Sequence, residues 1–126
     1  MKTLEQKFAK DVFDLVEKYG DKHPEESKER KQYGSMAHRL PILVHTAGLV
    51  QALAYVEDRN KESLNHLLDH LAEVLGYANR SRLLAASRAA DFKSYQYLTR
   101  KTNIALSWFK RFAQSELKID PGMEKD

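Results

Sequence analysis

His66 and His70 carry the most conspicuous chemical spacing in the chain. Four residues apart on a helix, they share a face and could supply two ligands to zinc. A zinc protease of that pattern needs Glu directly after the first histidine, and Leu67 stands there. No third ligand is evident in sequence. With Asp69 and Glu73 beside them, the pair reads as a solvated polar face, and no metal is expected. His45 lies in an apolar run and reads as a hydrogen-bonded core histidine. His23 and His38 read as loop or boundary residues. The absence of cysteine excludes a disulfide framework, a thiolate metal site and a thiol nucleophile. There is no GxSxG elbow, no glycine-rich phosphate loop and no dinucleotide turn. Carboxylates are spread over polar positions and not paired on an apolar face. The reading is therefore of a protein that is not an enzyme and has no cofactor.

The cations carry a clearer signal. Residues 1–79 hold 11 Lys/Arg against 13 Asp/Glu, whereas residues 80–118 hold nine against two, a local charge of +7. The basic residues there are Arg80, Arg82, Arg88, Lys93, Arg100, Lys101, Lys110, Arg111 and Lys118; the acids are Asp91 and Glu116. Such asymmetry points to a polyanion, usually nucleic acid, with a merely solubilising surface as the alternative. In the last third one helical sector combines Lys93, Tyr97, Arg100, Lys101, Ile104, Trp108 and Arg111. Cations neutralise phosphates, and flat rings stack on bases. The same aromatics also fit a core with cations snorkelling at its rim, and for Tyr97, Ile104 and Trp108 that is the preferred reading. For Arg100, Lys101 and Arg111 contact with a polyanion is preferred.

The elements that must position these residues are all helical. The chain has 126 residues, 42% hydrophobic and 31% charged, which fits one soluble globular domain over 1–126. The N-terminus lacks the continuous apolar core of a secretory signal, so a cytoplasmic location is expected. Thr3 is placed to cap a first helix to Tyr19, with Leu4, Phe8, Val12, Leu15 and Tyr19 in one stripe and Gly20 as its stop. Phe13 falls outside that stripe, as a core edge or an exposed contact. Residues 21–33 are polar and punctuated by Pro24, with a helix expected from about Glu26. Residues 40–56 are apolar nearly all round, which predicts a central helix near 41–58 wrapped by others, with Pro41 in its first turn. That stretch is too interrupted, and slightly too short, for a membrane span. Asn60 is placed to cap a helix over 61–75 with Leu64, Leu67, Leu68, Leu71 and Leu75 at its face, and Ser81 a short helix to Arg88. Asp91 caps the longest helix, near 91–117, where Tyr95, Leu98, Thr102, Ala105, Phe109 and Phe112 form the core stripe. A flexible tail follows after about 119. The fold class is all-α, a compact bundle of about five to six helices.

Three segments together resemble a known family. They are KFAKDVFDLVEK near the N-terminus, YGSMAHRLPILVHTAGLVQALAYV in the centre and YLTRKTNIALSWFKRFAQSEL near the C-terminus. Their order and spacing are similar to those of the small all-helical subunit of Cmr-type (type III-B) CRISPR–Cas effector complexes. The resemblance implies a subunit without a catalytic role. Copies would stack side by side along the complex, against the repeated backbone subunit that holds guide RNA, and line the channel for target RNA. It implies cutting by an acid of the neighbouring backbone subunit. It supplies no contact residues. The nucleic-acid candidates therefore rest on charge alone: Arg39, Arg82, Arg88, Lys93, Arg100, Lys101 and Arg111. Phe13 and residues 25–31 are candidates for the stacking contacts.

The function expected is thus a scaffold in an antiviral RNA-guided ribonucleoprotein. Its partners would be the other Cmr-type subunits, copies of itself and guide–target RNA, with no membrane. Two other readings remain: a helical DNA-binding regulator, with residues 81–88 and the helix after Asp91 as a helix–turn–helix, and a protein-interaction adaptor that never touches nucleic acid.

Overall fold

The computed structural model describes residues 1–122. Six helices run in the order α1 (Leu4–Lys22), α2 (Lys28–Ala47), α3 (Leu49–Asp58), α4 (Glu62–Leu75), α5 (Arg80–Ala89) and α6 (Phe92–Ser115). No strand occurs among the described residues, so the all-α expectation holds. The most extensive packing is of α6 against α2 and α1, and α4 packs on α2 while also touching α6 and α1. α3 and α5 close the bundle against α4 and each other.

Helix starts follow the sequence where a side chain makes the cap. The Thr3 hydroxyl accepts from Gln6 N–H at 3.1 Å, and the Gln6 side chain accepts from Thr3 N–H at 2.9 Å, a reciprocal capping box. Asp91 accepts from Ser94 N–H at 2.9 Å and starts α6 as expected. Elsewhere the starts differ. Ser27 caps α2 in place of a start near Glu26. Asn79, not Ser81, caps α5 through Arg82 N–H. Lys61 precedes α4 without a side-chain cap, while Asn60 takes a left-handed turn at φ 50 that asparagine tolerates.

The central helix expected near 41–58 is in fact two helices. α2 passes without interruption through Gly34 and Pro41 and ends at Ala47. Gly48, at φ 90 and ψ 160, turns the chain into α3. This backbone state suits a residue without Cβ. The break re-aims the apolar positions. Leu40, Val44, Leu49, Leu53 and Val56 are buried, but Ile42 is 59% and Tyr55 40% exposed, so the stretch is not wrapped all round. His45 is exposed, not in the core. α3 has no side-chain cap of its own; Val50 N–H donates to the Tyr95 hydroxyl of α6 at 3.1 Å.

Gly20 does not stop α1, which continues to Lys22. Its role is contact: an added Cβ would meet Leu117 Cδ2 at 3.0 Å. The chain beyond α6 is strapped across α1 and α2. Leu117 and Ile119 are buried. The Arg30 guanidinium donates to four backbone carbonyls, those of Gly20 and His23 at 3.0 Å, Leu117 at 3.0 Å and Glu116 at 3.2 Å. His38, expected at a boundary, is buried in α2, with Nε2 2.7 Å from the Ile119 carbonyl. The expected tail after 119 falls mostly on residues 123–126, outside the described residues.

The i, i+4 histidines are not a solvated pair. Both are half-buried, and His70 Nδ1 shares a 2.8 Å hydrogen bond with the Tyr33 hydroxyl. Tyr33 stacks on Tyr19, which stacks on His23. Burial, with His66 beside it, pushes His70 down to about 4, so the ring is neutral at pH 7. Among the described residues no group of three or more His, Asp and Glu side chains is arranged to hold a metal ion.

Candidate nucleic-acid interface

α6 divides sharply into two faces. Leu98, Thr102, Ala105, Leu106, Phe109 and Ala113 are buried. Lys93, Arg100, Lys110 and Arg111 are exposed. At about 100° per residue, Lys93, Arg100 and Arg111 fall within roughly 20° of one line, and at about 1.5 Å rise they span about 27 Å. None of these four pairs with a carboxylate among the described residues, unlike Lys7, Lys10, Lys31 and Arg80. An open hollow of about 520 Å³ on this helix is lined by Ser107, Lys110, Arg111, Gln114 and Ser115. Its two cations and the Gln114 amide suit phosphate oxygens; the Ser107 hydroxyl already donates to the Ile104 carbonyl, and the Ser115 hydroxyl to the Glu116 carboxylate at 3.1 Å.

The structure gathers only part of the expected basic set. Lys93, Arg100 and Arg111 share the α6 line. Lys101 is half-buried on the flank of that helix, with its ammonium 5.0 Å from the Tyr97 ring centroid. Arg82 and Arg88 are exposed on α5, which packs on α3 and α4. Arg39 belongs to α2 and donates to the Tyr55 hydroxyl of α3 at 3.3 Å. Arg80 is neutralised: Asp69 accepts from its guanidinium at 2.9 Å and from its backbone N–H at 2.8 Å.

The aromatics split. Trp108 and Ile104 are half-buried against the core, and Trp108 Nε1 donates to Glu5 on α1 at 2.8 Å. Tyr97, preferred as core in sequence, is 56% exposed and belongs with the cations instead. Phe13 meets Phe112 edge-on at 5.3 Å, so it joins α1 to α6 within the fold. In the 25–31 stretch, Arg30 is committed to backbone carbonyls, and Lys31 lies 3.6 Å from Glu26.

Sequence reasoning missed Arg59, Tyr77 and Phe92. Arg59 donates to Tyr55 from four residues on, at 3.0 Å. Together with Arg39 it holds the Tyr55 hydroxyl below the usual phenol range. The i, i+4 spacing of Tyr55 and Arg59 was the available signal. Phe92 is 74% exposed at the first turn of α6.

α6, the helix after Asp91 that the regulator reading would place in a DNA groove, packs one face on α1 and α2 and keeps the other exposed. Among the described residues no helix is long and apolar enough to cross a membrane.

Comparison with known proteins agrees with this architecture. The family model described as CRISPR-associated protein (Cas_Cmr5) matches residues 4–116. The CRISPR system Cmr subunit Cmr5 of Thermus thermophilus is 41% identical over 115 residues, 91% of this chain and 96% of that protein. The crystal structure of a CRISPR-associated Cmr5 family protein from the same organism superposes with a TM-score of 0.83 at 41% identity, over 91% of this chain and 97% of that one.

Proposed function

The chain belongs to the Cas_Cmr5 family of CRISPR-associated proteins, and from that premise we propose that it is a non-catalytic structural subunit of a type III-B, RNA-guided RNA-targeting ribonucleoprotein. Copies stack along the complex beside the repeated backbone subunit and help hold guide–target RNA in antiviral defence in the cytoplasm. The observation that carries the RNA-holding role is the α6 line of Lys93, Arg100 and Arg111, exposed and without carboxylate partners among the described residues. A row of fixed cations over about 27 Å engages phosphates and helical shape, so binding is weakly dependent on sequence and sensitive to salt.

The test is recovery of the tagged full chain from its host. Guide RNA and large backbone subunits should come with it. Complexes carrying Lys93→Ala, Arg100→Ala and Arg111→Ala together should assemble yet bind target RNA more weakly. Unchanged target affinity in an assembled triple variant would favour the adaptor reading.

A further inference from the structure

Resting on the RNA-holding reading of α6, we propose that a groove between Tyr77 and Tyr97 is a slot for one unpaired RNA base, flanked by the cations that take its phosphates. The groove lies where α5 turns into α6 and has a volume of about 310 Å³. Leu98, Ala86 and Ala90 give it an apolar lining, and Leu98 is only 5% exposed. Tyr77 is held against the core, while Tyr97 is 56% exposed at the rim. Besides the two phenols, its polar lining residues are Ser94 and Lys101, and no carboxylate lines it.

An apolar slot bounded by aromatic rings accepts a flat ring by stacking. Two features favour a nucleotide over an apolar side chain of a protein. The Lys101 ammonium lies over the Tyr97 ring, 5.0 Å from its centroid, a face that an incoming base takes over as the ammonium moves to its phosphate. Lys93 and Arg100 stand four residues before and three after Tyr97, which makes them its surface neighbours on the helix. Cations at that spacing meet the phosphates on either side of a base held at Tyr97. Stacking tolerates any base, so the slot grips a splayed nucleotide without reading its identity.

Fluorescence anisotropy on the full chain at low salt tests this with two labelled ten-nucleotide strands, an oligouridylate and an abasic ribose-phosphate strand of equal length. The oligouridylate should bind about 5- to 150-fold more tightly, the range expected for one stacked base. Tyr97→Ala should reduce its affinity to that of the abasic strand, and Tyr97→Phe should restore the preference. Equal, salt-sensitive affinity for both strands would overturn the slot and leave the phosphate-binding face standing. No binding of either strand would overturn both. If Tyr97→Ala leaves RNA affinity unchanged but releases a partner subunit from the assembled complex, the groove belongs to a protein and the proposal fails.

Discussion

Gly34→Ala isolates the clasp that fixes the end of α6. A Cβ at position 34 would stand 2.7 Å from Ile119 Cγ1, 2.8 Å from Ile119 Cβ and 3.0 Å from Ile119 Cγ2. Ile119 is 1% exposed, and its Cβ is bonded to the backbone, so a rotamer change does not clear the clash. The segment over residues 117–119 has to lift. Lifting exposes part of Ile119, a side chain whose full burial is worth about 1.5–3 kcal/mol. It also strains the 2.7 Å contact between His38 Nε2 and the Ile119 carbonyl, worth about 1 kcal/mol. Ala is about 1 kcal/mol better than Gly inside a helix, which offsets part of the loss. The net is a destabilisation of about 1–3 kcal/mol, measurable as a lower urea midpoint at unchanged m-value. Ile119→Gly removes all three clashing atoms, so the double variant should be less destabilised than the sum of the single changes. A Gly34→Ala protein as stable as the parent, or strictly additive behaviour in the double variant, would refute the reasoning.

Arg30→Lys cannot reach four carbonyls with one ammonium; roughly 2 kcal/mol should be lost in urea denaturation, since hydrogen bonds from a charged donor are the stronger kind. Tyr95→Phe removes the acceptor for Val50 N–H at the start of α3; the expected cost is about 1 kcal/mol, with hydrogen-exchange protection falling first in the opening turn of α3. His70 is held neutral, with its pKa moved from 6.5 down to about 4, chiefly by burial. A depressed histidine favours the fold above the unfolded pKa, and that contribution is lost as pH falls from about 6.5 towards 4, roughly 2 kcal/mol between pH 7 and pH 5. A His70→Gln variant should show that much less acid sensitivity in denaturant titrations at the two pH values.

The local parts of this fold were legible because their causes are local. The five leucines of α4 follow helical spacing, and all five are buried; Thr3 and Asp91 cap the helices they precede. What escaped depends on partners far along the chain. The polar run of residues 21–33 hides Arg30, whose acceptors include carbonyls 86 and 87 residues away. His38 resembled a boundary residue because its acceptor is 81 residues distant. Residues 40–56 looked like one helix because apolar count outweighed Gly48, where the backbone at φ 90 divides it. Helical spacing already set Lys93, Arg100 and Arg111 in one sector of the last helix, apart from Arg39 and from Arg82 and Arg88; which members of that sector stay exposed was not legible, and the fold half-buries Lys101, Ile104 and Trp108. Tyr97 escaped for a related reason: an aromatic at helical spacing looks the same in sequence whether or not a helix covers it.

The salt dependence of target-RNA affinity tests the central claim most directly. Each phosphate neutralised adds about 0.7–0.9 to the slope of log K against log salt concentration. Assembled complexes with Lys93→Ala, Arg100→Ala and Arg111→Ala should therefore show a slope shallower by about 2 or more, alongside weaker binding. An unchanged slope in complexes that retain this subunit would mean that the α6 line does not touch RNA.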